Sequence, residues 1–379
     1  MRVLIVAPSL EILGGQAVQA KRLLERLRDE PSIDVSFLPI NPKLPGALRK
    51  LQGVKYVRTA VTSLFYWILL LTRVPKYDVI HVFSAAYFSF VLAPTPAILI
   101  AKLFGKKVVL NYRSGEASDH LRRWRRTALP TIRLVDEIVV PSGYLVDVFA
   151  QFELVSRSIS NFVDLDHFSF RERSPLCPVF LSNRNFESHY NIACVLRAFA
   201  IIQKRLPDAR LIVAGDGGQR SSLEALAEEL MLRNVEFRGR VAPEQMHALY
   251  READVYLNAP NIDNMPGSII EAFASGLPVV TTGAGGIPYI VNDQNTGLMI
   301  HCGDHEAMAE QALRLFDDEA LCRRMTISAR DECKKYQWDA VKNEWLKLYQ
   351  ELALQQTSSS DPSVRSRQAT VGLYPGVSR

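Results

Sequence analysis

The sequence has few cysteines, and they follow no disulfide or metal-binding pattern. Only five occur among 379 residues, namely Cys177, Cys194, Cys302, Cys322 and Cys333. They form neither a C-x-x-C pair nor a cluster with histidine, and an odd number of scattered cysteines is typical of reduced thiols inside the cell. We therefore predict a cytoplasmic protein with neither a disulfide framework nor a metal site.

Long apolar runs are scarce as well. Residues 63–71 ("SLFYWILLL") form a short run, and the longer run at 83–105 is interrupted by Pro94 and Pro96. A membrane-spanning helix needs about 20 consecutive apolar residues. Met1 leads directly into the short segment "RVLIVAP", which lacks the longer apolar core and the cleavage site of a signal peptide. We expect both runs to form buried helices that can present one interfacial face.

A strong excess of one charge is also missing. The net charge is +5, and 22% of the residues are charged. A mild positive charge suits an anionic ligand or lipid head groups, but it does not by itself predict nucleic-acid binding. The hydrophobic fraction of 48% is sufficient for two cores, and a chain of this length favours two domains.

Short apolar runs alternate with amphipathic stretches, which predicts two doubly wound α/β domains. The strand candidates are "RVLIVAP", "DVSFLPI", "YDVIHVF", "KKVVLNY" and "DEIVVPS", then "PVFLSNR", "ARLIVAGDG", "VEFRGRV", "ADVYLNAP" and "LPVVTT". We assign residues 1–165 to the first domain, 166–335 to the second, 336–354 to a last helix and 355–379 to a disordered tail. Ligands of such sheets bind at the carboxyl ends of the strands, so a cleft is expected between the domains.

The segment 258–282, "NAPNIDNMPGSIIEAFASGLPVVTT", places two acids on either side of a loop of small residues. Asp263 lies in the loop after a predicted strand, and Glu271 lies at the start of the next helix. One interpretation is structural, with Ser268 and Glu271 forming an S-x-x-E capping box. In the other, the loop amides and the helix N-terminus receive an anionic ligand, while the carboxylates bind hydroxyl groups of a ribose and of a sugar.

At this segment the chain resembles the family 4 retaining glycosyltransferases of the GT-B fold, whose signature is E-x7-E. The likeness rests on "DNMPGSIIEAFASGLPVV", "GGIPYIV" and "TGL", and it runs in order from residue 1 to about 350 through "GGQ", "VVPSGYL", "NFVDLDHF" and "LIVAGDG". The resemblance implies that the first domain binds an acceptor and the second a UDP-, GDP- or ADP-sugar. It also implies that the last helix packs back toward the first domain.

The resemblance gives residues of the second domain specific roles. Glu271 would bind the nucleotide ribose, and Asp263 would contact the sugar as it is transferred. The amides of Gly267 and Ser268 would face the diphosphate and the sugar, in a donor-binding loop that also contains Met265 and Pro266. Asp263 stands where the family has glutamate, so its shorter side chain predicts a different preference for the donor sugar.

Three further positions match or depart from the family pattern. In "SNRNFESHYN", Arg184 matches the arginine of an Arg-x4-Lys pair that neutralises the donor diphosphate, whereas His189 replaces the lysine. In "KKVVLNYRSGEASDH", Arg113 stands where the family commonly has a catalytic histidine. An arginine cannot act as a base, but it can stabilise developing phosphate charge.

The first glycine loop, "LGGQA" at 13–17, lacks the G-x-G-x-x-G spacing of a dinucleotide site. Gly14 and Gly15 are interpreted as letting the backbone approach a phosphate or an acceptor, with a tight turn as the structural alternative. No Asp-x-Asp metal motif follows a predicted strand, since "DLD" at 164–166 falls between the domains. We expect neither a metal ion nor a cofactor.

Four arginines surround Trp124 in "HLRRWRRTALP" at 120–130. Either this is a solvated helix face, or it contacts an anionic membrane together with the 63–71 region. Nucleic acid is not expected as a partner, because no recognition fold accompanies the patch.

The sequence therefore predicts a retaining glycosyltransferase that moves a sugar from a nucleotide sugar to a saccharide or lipid-linked acceptor. Cell-surface polysaccharide or glycolipid synthesis, at the inner face of the cell membrane, is the expected setting. A nucleotide-sugar epimerase of related fold and a non-catalytic nucleotide-sugar-binding scaffold are the alternatives.

Overall fold

The structure, a computed structural model, describes residues 1–11, 14–46 and 53–360. Two six-stranded sheets follow one another along the chain, and every strand pair among the described residues is parallel. Helices connect the strands of both sheets. The predicted pair of doubly wound α/β domains is confirmed. Of the tail assigned to 355–379, residues 361–379 lie outside the described ranges.

The first sheet has the strand order β2-β1-β3-β4-β5-β6. Its strands are β1 (Arg2–Ala7), β2 (Asp34–Pro39), β3 (Val79–Phe83), β4 (Lys107–Asn111), β5 (Glu137–Val140) and β6 (Arg157–Ser158). Its helices are α1 (Gly15–Arg28), α2 (Lys55–Arg73), α3 (Tyr87–Leu92), α4 (Pro94–Leu103), α5 (Ala117–Arg123), α6 (Arg125–Ile132) and α7 (Gly143–Ala150). Strand β6 was not predicted, because two residues are too few to show a period.

Both faces of this sheet are buried, which explains why its strands are apolar without alternation. On β1, Leu4 and Val6 face the core formed with α2, α4 and α6, whereas Val3 and Ile5 face the core formed with α1. All four side chains are fully buried.

The second sheet has the strand order β12-β11-β10-β7-β8-β9. Its strands are β7 (Val179–Ser182), β8 (Arg210–Ala214), β9 (Val235–Gly239), β10 (Val255–Asn258), β11 (Val279–Thr282) and β12 (Leu298–Ile300). Its helices are α8 (Ile192–Arg205), α9 (Arg220–Glu229), α10 (Met246–Glu252), α11 (Gly267–Ala274), α12 (His305–Asp317) and α13 (Glu319–Cys333). The strand order reverses between β7 and β10, so the loops after these two strands meet at the switch point where such sheets bind ligands.

The last helix, α14 (Trp338–Ser360), packs on the first domain. Trp345, Leu348 and Tyr349 are buried in the same core as Val3 and Ile5. The helix thus covers the face of the first sheet that α1 also covers. It continues past residue 354, where the sequence analysis ended it.

The apolar run 63–71 belongs to a longer helix than the sequence suggested. Helix α2 has 19 residues, and Val57–Lys76 forms the one candidate span among the described residues that is long and apolar enough to cross a membrane. However, Tyr66, Leu70 and Val74 are 0–1% exposed in the core of the first domain. One side of α2 is therefore packed against the first domain, and the helix lies along the surface of that domain.

Candidate active site

One cavity of about 440 Å³ lies between the two domains. Its walls include loops at the carboxyl ends of strands from both sheets, where doubly wound folds bind ligands. Every site residue named from the sequence lines this cavity, namely Gly14, Gly15, Arg113, Arg184, His189, Asp263, Met265, Pro266, Gly267, Ser268 and Glu271. The structure therefore brings together in space residues that lie in four separate segments of the sequence.

Arg184 and Asp263 form an ion pair at the switch point of the second sheet. Arg184 follows β7 and Asp263 follows β10, and the Arg184 Nη2 and Asp263 Oδ2 atoms are 2.5 Å apart. Their side chains are only 10% and 12% exposed. Arg184 Nη1 also donates to Ser268 Oγ at 3.0 Å, and its guanidinium lies 4.1 Å from the centre of the Tyr190 ring.

The surroundings of Arg184 keep it charged. Burial acts to lower its pKa, but the Asp263 carboxylate and the neighbouring tyrosines outweigh burial and raise the pKa above its ordinary value. The site therefore contains a fixed positive charge with its planar fork turned into the cavity. Such a fork suits a phosphate or carboxylate group, which it can bind through two parallel hydrogen bonds.

Glu271 is held from both domains. Its Oε1 accepts a hydrogen bond from Arg22 Nη2 of helix α1 at 3.1 Å, and its Oε2 accepts one from the Tyr250 hydroxyl at 3.1 Å. The Glu271 side chain is 13% exposed and that of Arg22 is 18% exposed. The carboxylate thus has a fixed position at the cavity wall, with its orientation set by two donors.

The capping-box interpretation of Ser268 and Glu271 is wrong. Helix α11 begins with Pro266 in the capping position and has no side-chain cap. Ser268 lies inside the first turn, where its hydroxyl accepts from Arg184. Backbone amides of a first helical turn have no acceptor within the helix. The amides of Gly267 and Ser268 are therefore placed to bind an anion in the cavity.

The position of Asp263 depends on a glycine loop after β11. Gly285 has φ of +53°, and a Cβ atom on it would lie 2.1 Å from the Asp263 carbonyl oxygen. A Cβ atom on Gly286 would lie 2.0 Å from the Asn264 carbonyl oxygen, and the Gly286 amide donates to the Asp263 carbonyl at 3.1 Å. Only glycine permits this contact, which supports the loop that carries the carboxylate.

The first glycine loop leaves space at the start of α1. Gly14 caps the helix with φ of −166°, an extended conformation that any residue can adopt, and no atom of the described residues lies within 4 Å of a Cβ placed on Gly14 or Gly15. The tight-turn alternative therefore does not explain these glycines. Their missing side chains instead leave the cavity open beside the helix N-terminus.

Arg113 presents a partly buried cation that has no carboxylate partner among the described residues. Its Nη1 donates to Asn111 Oδ1 at 3.2 Å, and its backbone amide donates to Ser84 Oγ. Its Nη2 atom is buried and has no hydrogen-bond partner among the described residues. Burial lowers the pKa of Arg113 to about 9. An anion that enters the cavity would satisfy Nη2 and offset the cost of burying this charge.

A chain of hydrogen bonds supports Arg113 from the core. Asn111 Nδ2 donates to His81 Nε2 at 3.1 Å, so the ring proton is on Nδ1, which faces the Tyr349 hydroxyl at 2.6 Å. Burial, followed by the charge of Arg113, lowers the pKa of His81 to about 3. His81 is therefore a neutral core residue that fixes the amide orientation of Asn111.

Two other histidines differ in their contribution to the site. His120 is buried outside the cavity and bonded to the Tyr112 hydroxyl at 2.7 Å, and burial lowers its pKa to about 4. His189 lines the cavity, where its ring contacts the Tyr190 ring in a tilted arrangement at a centroid distance of 4.1 Å. Tyr190, and not His189, contacts the Arg184 guanidinium.

The sequence analysis missed Arg22, Tyr190 and Tyr250. The sequence does contain an indication of Arg22, because Gln19, Arg22 and Arg26 follow one another at helical spacing and form a polar stripe on helix α1. Gln19 and Arg22 donate to the Phe162 carbonyl, and Arg22 also reaches Glu271 across the cleft. Such a stripe indicates a helix face that meets another part of the protein.

Within the described ranges, no group of three or more His, Cys, Asp or Glu side chains is arranged to hold a metal ion. The polar groups around the cavity include three carboxylates, on Glu116, Asp263 and Glu271, three arginines and the amides of the first turn of α11. This set can bind a diphosphate through its cations and amides, and hydroxyl groups through its carboxylates.

The part of the chain that carries most of this set is similar to a known family. Residues 170–332 match the family model of the glycosyl transferases group 1. The matched region contains Arg184, the Asp263 loop and Glu271, so the residues at the switch point lie within the family region.

Individual proteins agree with this match. The chain is 27% identical over 289 residues to the sulfoquinovosyl transferase SQD2 of Arabidopsis thaliana, covering 70% of this chain and 55% of that protein. It is 24% identical over 393 residues to the 2-deoxystreptamine N-acetyl-D-glucosaminyltransferase of Niallia circulans, covering 89% and 97%. The chain spans about half the length of the curated relatives that it matches first.

The fold also has solved counterparts. The structure of Anabaena Alr3699/HepE in complex with UDP-glucose superposes with a TM-score of 0.73 at 15% identity, covering 93% of this chain and 100% of that one. At this identity the likeness shows the fold. The predicted GT-B arrangement of two Rossmann-like domains is confirmed.

Proposed function

We propose that the protein is a retaining glycosyltransferase that moves a sugar from a nucleotide sugar to a saccharide or lipid-linked acceptor. The observation that carries this proposal is the meeting of Arg184, Asp263, Glu271 and the N-terminus of α11 at one interdomain cavity. The family match over residues 170–332 and the glycosyltransferase relatives support it. Polysaccharide or glycolipid synthesis at the cell surface is the proposed setting.

The donor diphosphate would bind at the cationic side of the cavity. Arg184 and the amides of Gly267 and Ser268 converge there, and Arg113 brings its unpartnered Nη2 from the first domain. The Glu271 carboxylate would accept hydrogen bonds from the ribose diol, replacing Arg22. Asp263 would contact hydroxyl groups of the sugar, and its short side chain would help select which sugar fits.

The transfer itself would need few groups. The acceptor hydroxyl oxygen bonds to the anomeric carbon on the face from which the diphosphate oxygen leaves, and the hydroxyl proton passes to that phosphate oxygen. Arg184, Arg113 and the dipole of α11 stabilise the charge that develops on the leaving diphosphate. Once Arg184 has turned from Asp263 to the bound diphosphate, these groups are in place before the transfer and need no reorganisation during the reaction.

A panel of UDP-, GDP- and ADP-sugars tests the donor assignment. UDP is a first choice, because the solved complexes of HepE contain UDP or UDP-glucose. A nucleotide sugar at 100 times its dissociation constant should stabilise the protein by about 2.7 kcal/mol. Thermal unfolding would reveal the binding class, and release of nucleotide with a saccharide mixture would report turnover. A chain that none of these nucleotides stabilises would contradict the proposal.

The same panel separates the two alternatives. An epimerase would release a free or nucleotide-linked epimer without any acceptor. A non-catalytic scaffold would be stabilised by the nucleotide sugar but would release no nucleotide. The matched family consists of glycosyl transferases, and the relatives named above are transferases, which favours the main proposal.

Arg113→Met is expected to make the ligand-free protein more stable and to weaken nucleotide binding. The change removes a buried charge with an unpartnered Nη2, so the unfolding temperature should rise by about 2–4 °C, the shift that about 1 kcal/mol produces in a domain of this size. Loss of a charged hydrogen bond should weaken UDP-sugar binding by at least about tenfold. Thermal unfolding with and without the donor measures both.

The exposed Arg126, on α6 outside the cavity, provides the matched control for Arg113. Arg126→Met should change neither stability nor donor affinity. If Arg113→Met destabilised the protein and left donor affinity intact, Arg113 would be a structural residue and not a phosphate ligand.

We also propose that the first domain contacts an anionic membrane through an apolar face on α2 and α4. The members of this face are 39–75% exposed, namely Leu64, Trp67, Ile68, Leu71, Leu99 and Leu103. Lys76 follows the end of α2 and Lys106 follows the end of α4, which suits anionic head groups. The segment around Trp124 fits less well, because Trp124 packs against the core of the first domain.

Flotation with vesicles of phosphatidylglycerol and phosphatidylcholine tests the membrane contact. The parent should float and Ile68→Asp/Leu71→Asp should not, because each charge would enter the interface. Val155→Asp is the matched control, since Val155 is 92% exposed elsewhere on the same domain. A parent that stays in the dense fraction would rule out the apolar face as a membrane contact.

A further inference from the structure

A second cavity, of about 580 Å³, adjoins the donor cavity. We call it the outer cavity. Gly115, Glu116 and Ile262 line both cavities, so the two spaces meet at these residues. The donor arrangement described above uses none of the remaining outer-cavity residues.

The border between the cavities lies beside Asp263. A Cβ atom on Gly115 would lie 3.1 Å from Ile262 Cγ2 and 3.3 Å from the Asp263 carbonyl carbon. Gly115 therefore allows the first domain to approach the loop that carries Asp263. If Asp263 contacts the transferred sugar, the anomeric carbon would lie near this border, and the outer cavity would hold the molecule on its other side.

Two tyrosines line the outer cavity. Tyr87 has a φ of +53°, a strained conformation for a bulky residue, and its hydroxyl donates to Asp119 Oδ2 at 2.8 Å. Its ring meets His120 edge-on at 5.4 Å. Strained residues of this kind cluster at ligand sites. Tyr87 and Tyr144 together offer the aromatic surface on which a sugar ring can pack.

Among the described residues, two charged side chains that line the outer cavity are free to bind a ligand. Within the described ranges, neither the Glu116 carboxylate nor the Arg122 guanidinium has a hydrogen-bond or ion-pair partner, whereas Arg123 pairs with Asp119 at 2.8 Å. A carboxylate accepts and a guanidinium donates hydrogen bonds, so the two groups together suit a molecule rich in hydroxyl groups. Glu116 lies at the border, on the side of the donor cavity.

We infer that the outer cavity binds the acceptor saccharide and that Glu116 positions it for attack. The inference rests on the proposed glycosyl transfer. Glu116 accepts a hydrogen bond from a hydroxyl group next to the attacking one and so aligns the acceptor at the border. The attacking oxygen bonds to the anomeric carbon, the bond from that carbon to the diphosphate oxygen breaks, and the hydroxyl proton goes to the diphosphate. Arg122 binds the far side of the acceptor.

Saturation-transfer NMR with UDP present tests this inference. The probes are the methyl glycosides of glucose, galactose, mannose, N-acetylglucosamine and N-acetylgalactosamine. At least one should receive saturation from the parent, and Glu116→Gln and Arg122→Ala should each weaken its binding by about tenfold. Arg125→Ala, an exposed arginine outside both cavities, should bind like the parent.

Stabilisation by UDP is measured on the same samples. It should be equal in the parent and in all three variants, which shows that the donor cavity and the fold are intact. If UDP binds but no glycoside does, or if Glu116→Gln and Arg122→Ala bind the glycoside like the parent, the inference is wrong. If UDP itself fails to bind, the proposed function fails first, and the acceptor assignment fails with it.

Discussion

Replacing Arg184 with alanine is expected to lower kcat/KM for the nucleotide sugar by about a thousandfold. Loss of one preorganised donor to a developing anion costs about 10²–10³ in rate. Here the change also leaves the Asp263 carboxylate, 12% exposed, without its ion-pair partner. A buried carboxylate that loses such a partner is left uncompensated and moves, so its contact with the sugar would suffer as well. Initial rates of nucleotide release over a range of donor concentrations measure the effect.

Two further variants test whether the loss of kcat/KM comes from the contact between Arg184 and the diphosphate. Arg184→Lys keeps the charge but cannot donate to Asp263 Oδ2 and Ser268 Oγ through one planar fork, so an intermediate rate is expected. Arg197→Ala, on the exposed side of α8, should behave like the parent. If Arg184→Ala stays folded and keeps its rate within tenfold of the parent, the diphosphate does not bind at Arg184.

In the ligand-free protein, both carboxylates that we propose to bind the nucleotide sugar are already paired with arginines. Asp263 is paired with Arg184 of its own domain, and Glu271 is paired with Arg22 of the other domain. A donor must therefore replace existing ion pairs, which costs free energy unless its phosphates take over the released guanidinium. Arg184 can turn from Asp263 to the diphosphate within the same cavity. If Glu271 binds the donor as proposed, donor binding and the contact between the domains are coupled through Arg22.

The strands could be predicted because parallel strands buried on both faces form continuous apolar runs. β6 and β12 are only two and three residues long, and no period is visible in so few residues. The candidate site could be predicted from the sequence in large part because Asp263 and Glu271 lie eight positions apart in one loop and helix, where a family signature is local. The contact of Arg22 with Glu271 depends on which domain faces which, so the polar stripe on α1 could indicate a contact but not its partner. Tyr190 and Tyr250 contact Arg184 and Glu271 within the second domain through the packing of separate segments, which no local pattern contains.

The misinterpreted capping box has a similar cause. An S-x-x-E sequence before an apolar helix satisfies the local rule for a helix start. In the structure Pro266 takes the capping position, and both polar side chains form tertiary contacts instead, Ser268 with Arg184 and Glu271 with Arg22 and Tyr250. These tertiary contacts take the place of the local capping bond. Departures from a local rule therefore coincide with the site.

Replacing Glu271 with alanine is expected to remove most of the stabilisation that a nucleotide sugar gives. Two charge-assisted hydrogen bonds to the ribose diol are worth about 1.5–3 kcal/mol each, so the affinity should fall by more than about a hundredfold. At a donor concentration that stabilises the parent by about 2.7 kcal/mol, the variant should gain less than about 0.5 kcal/mol. Thermal unfolding of parent and variant with the best donor measures this difference.

The controls separate ribose binding from the contact between domains, since Glu271 contributes to both. Glu244→Ala breaks the exposed Lys21–Glu244 ion pair between the domains without changing the cavity, and it should keep the full donor effect. Arg22→Ala breaks the pair with Glu271 but keeps the carboxylate. Because the ribose then no longer has to displace Arg22, donor affinity should stay the same or increase. If Arg22→Ala lost donor binding as Glu271→Ala does, the ion pair between the domains, and not a ribose contact, would explain the need for Glu271.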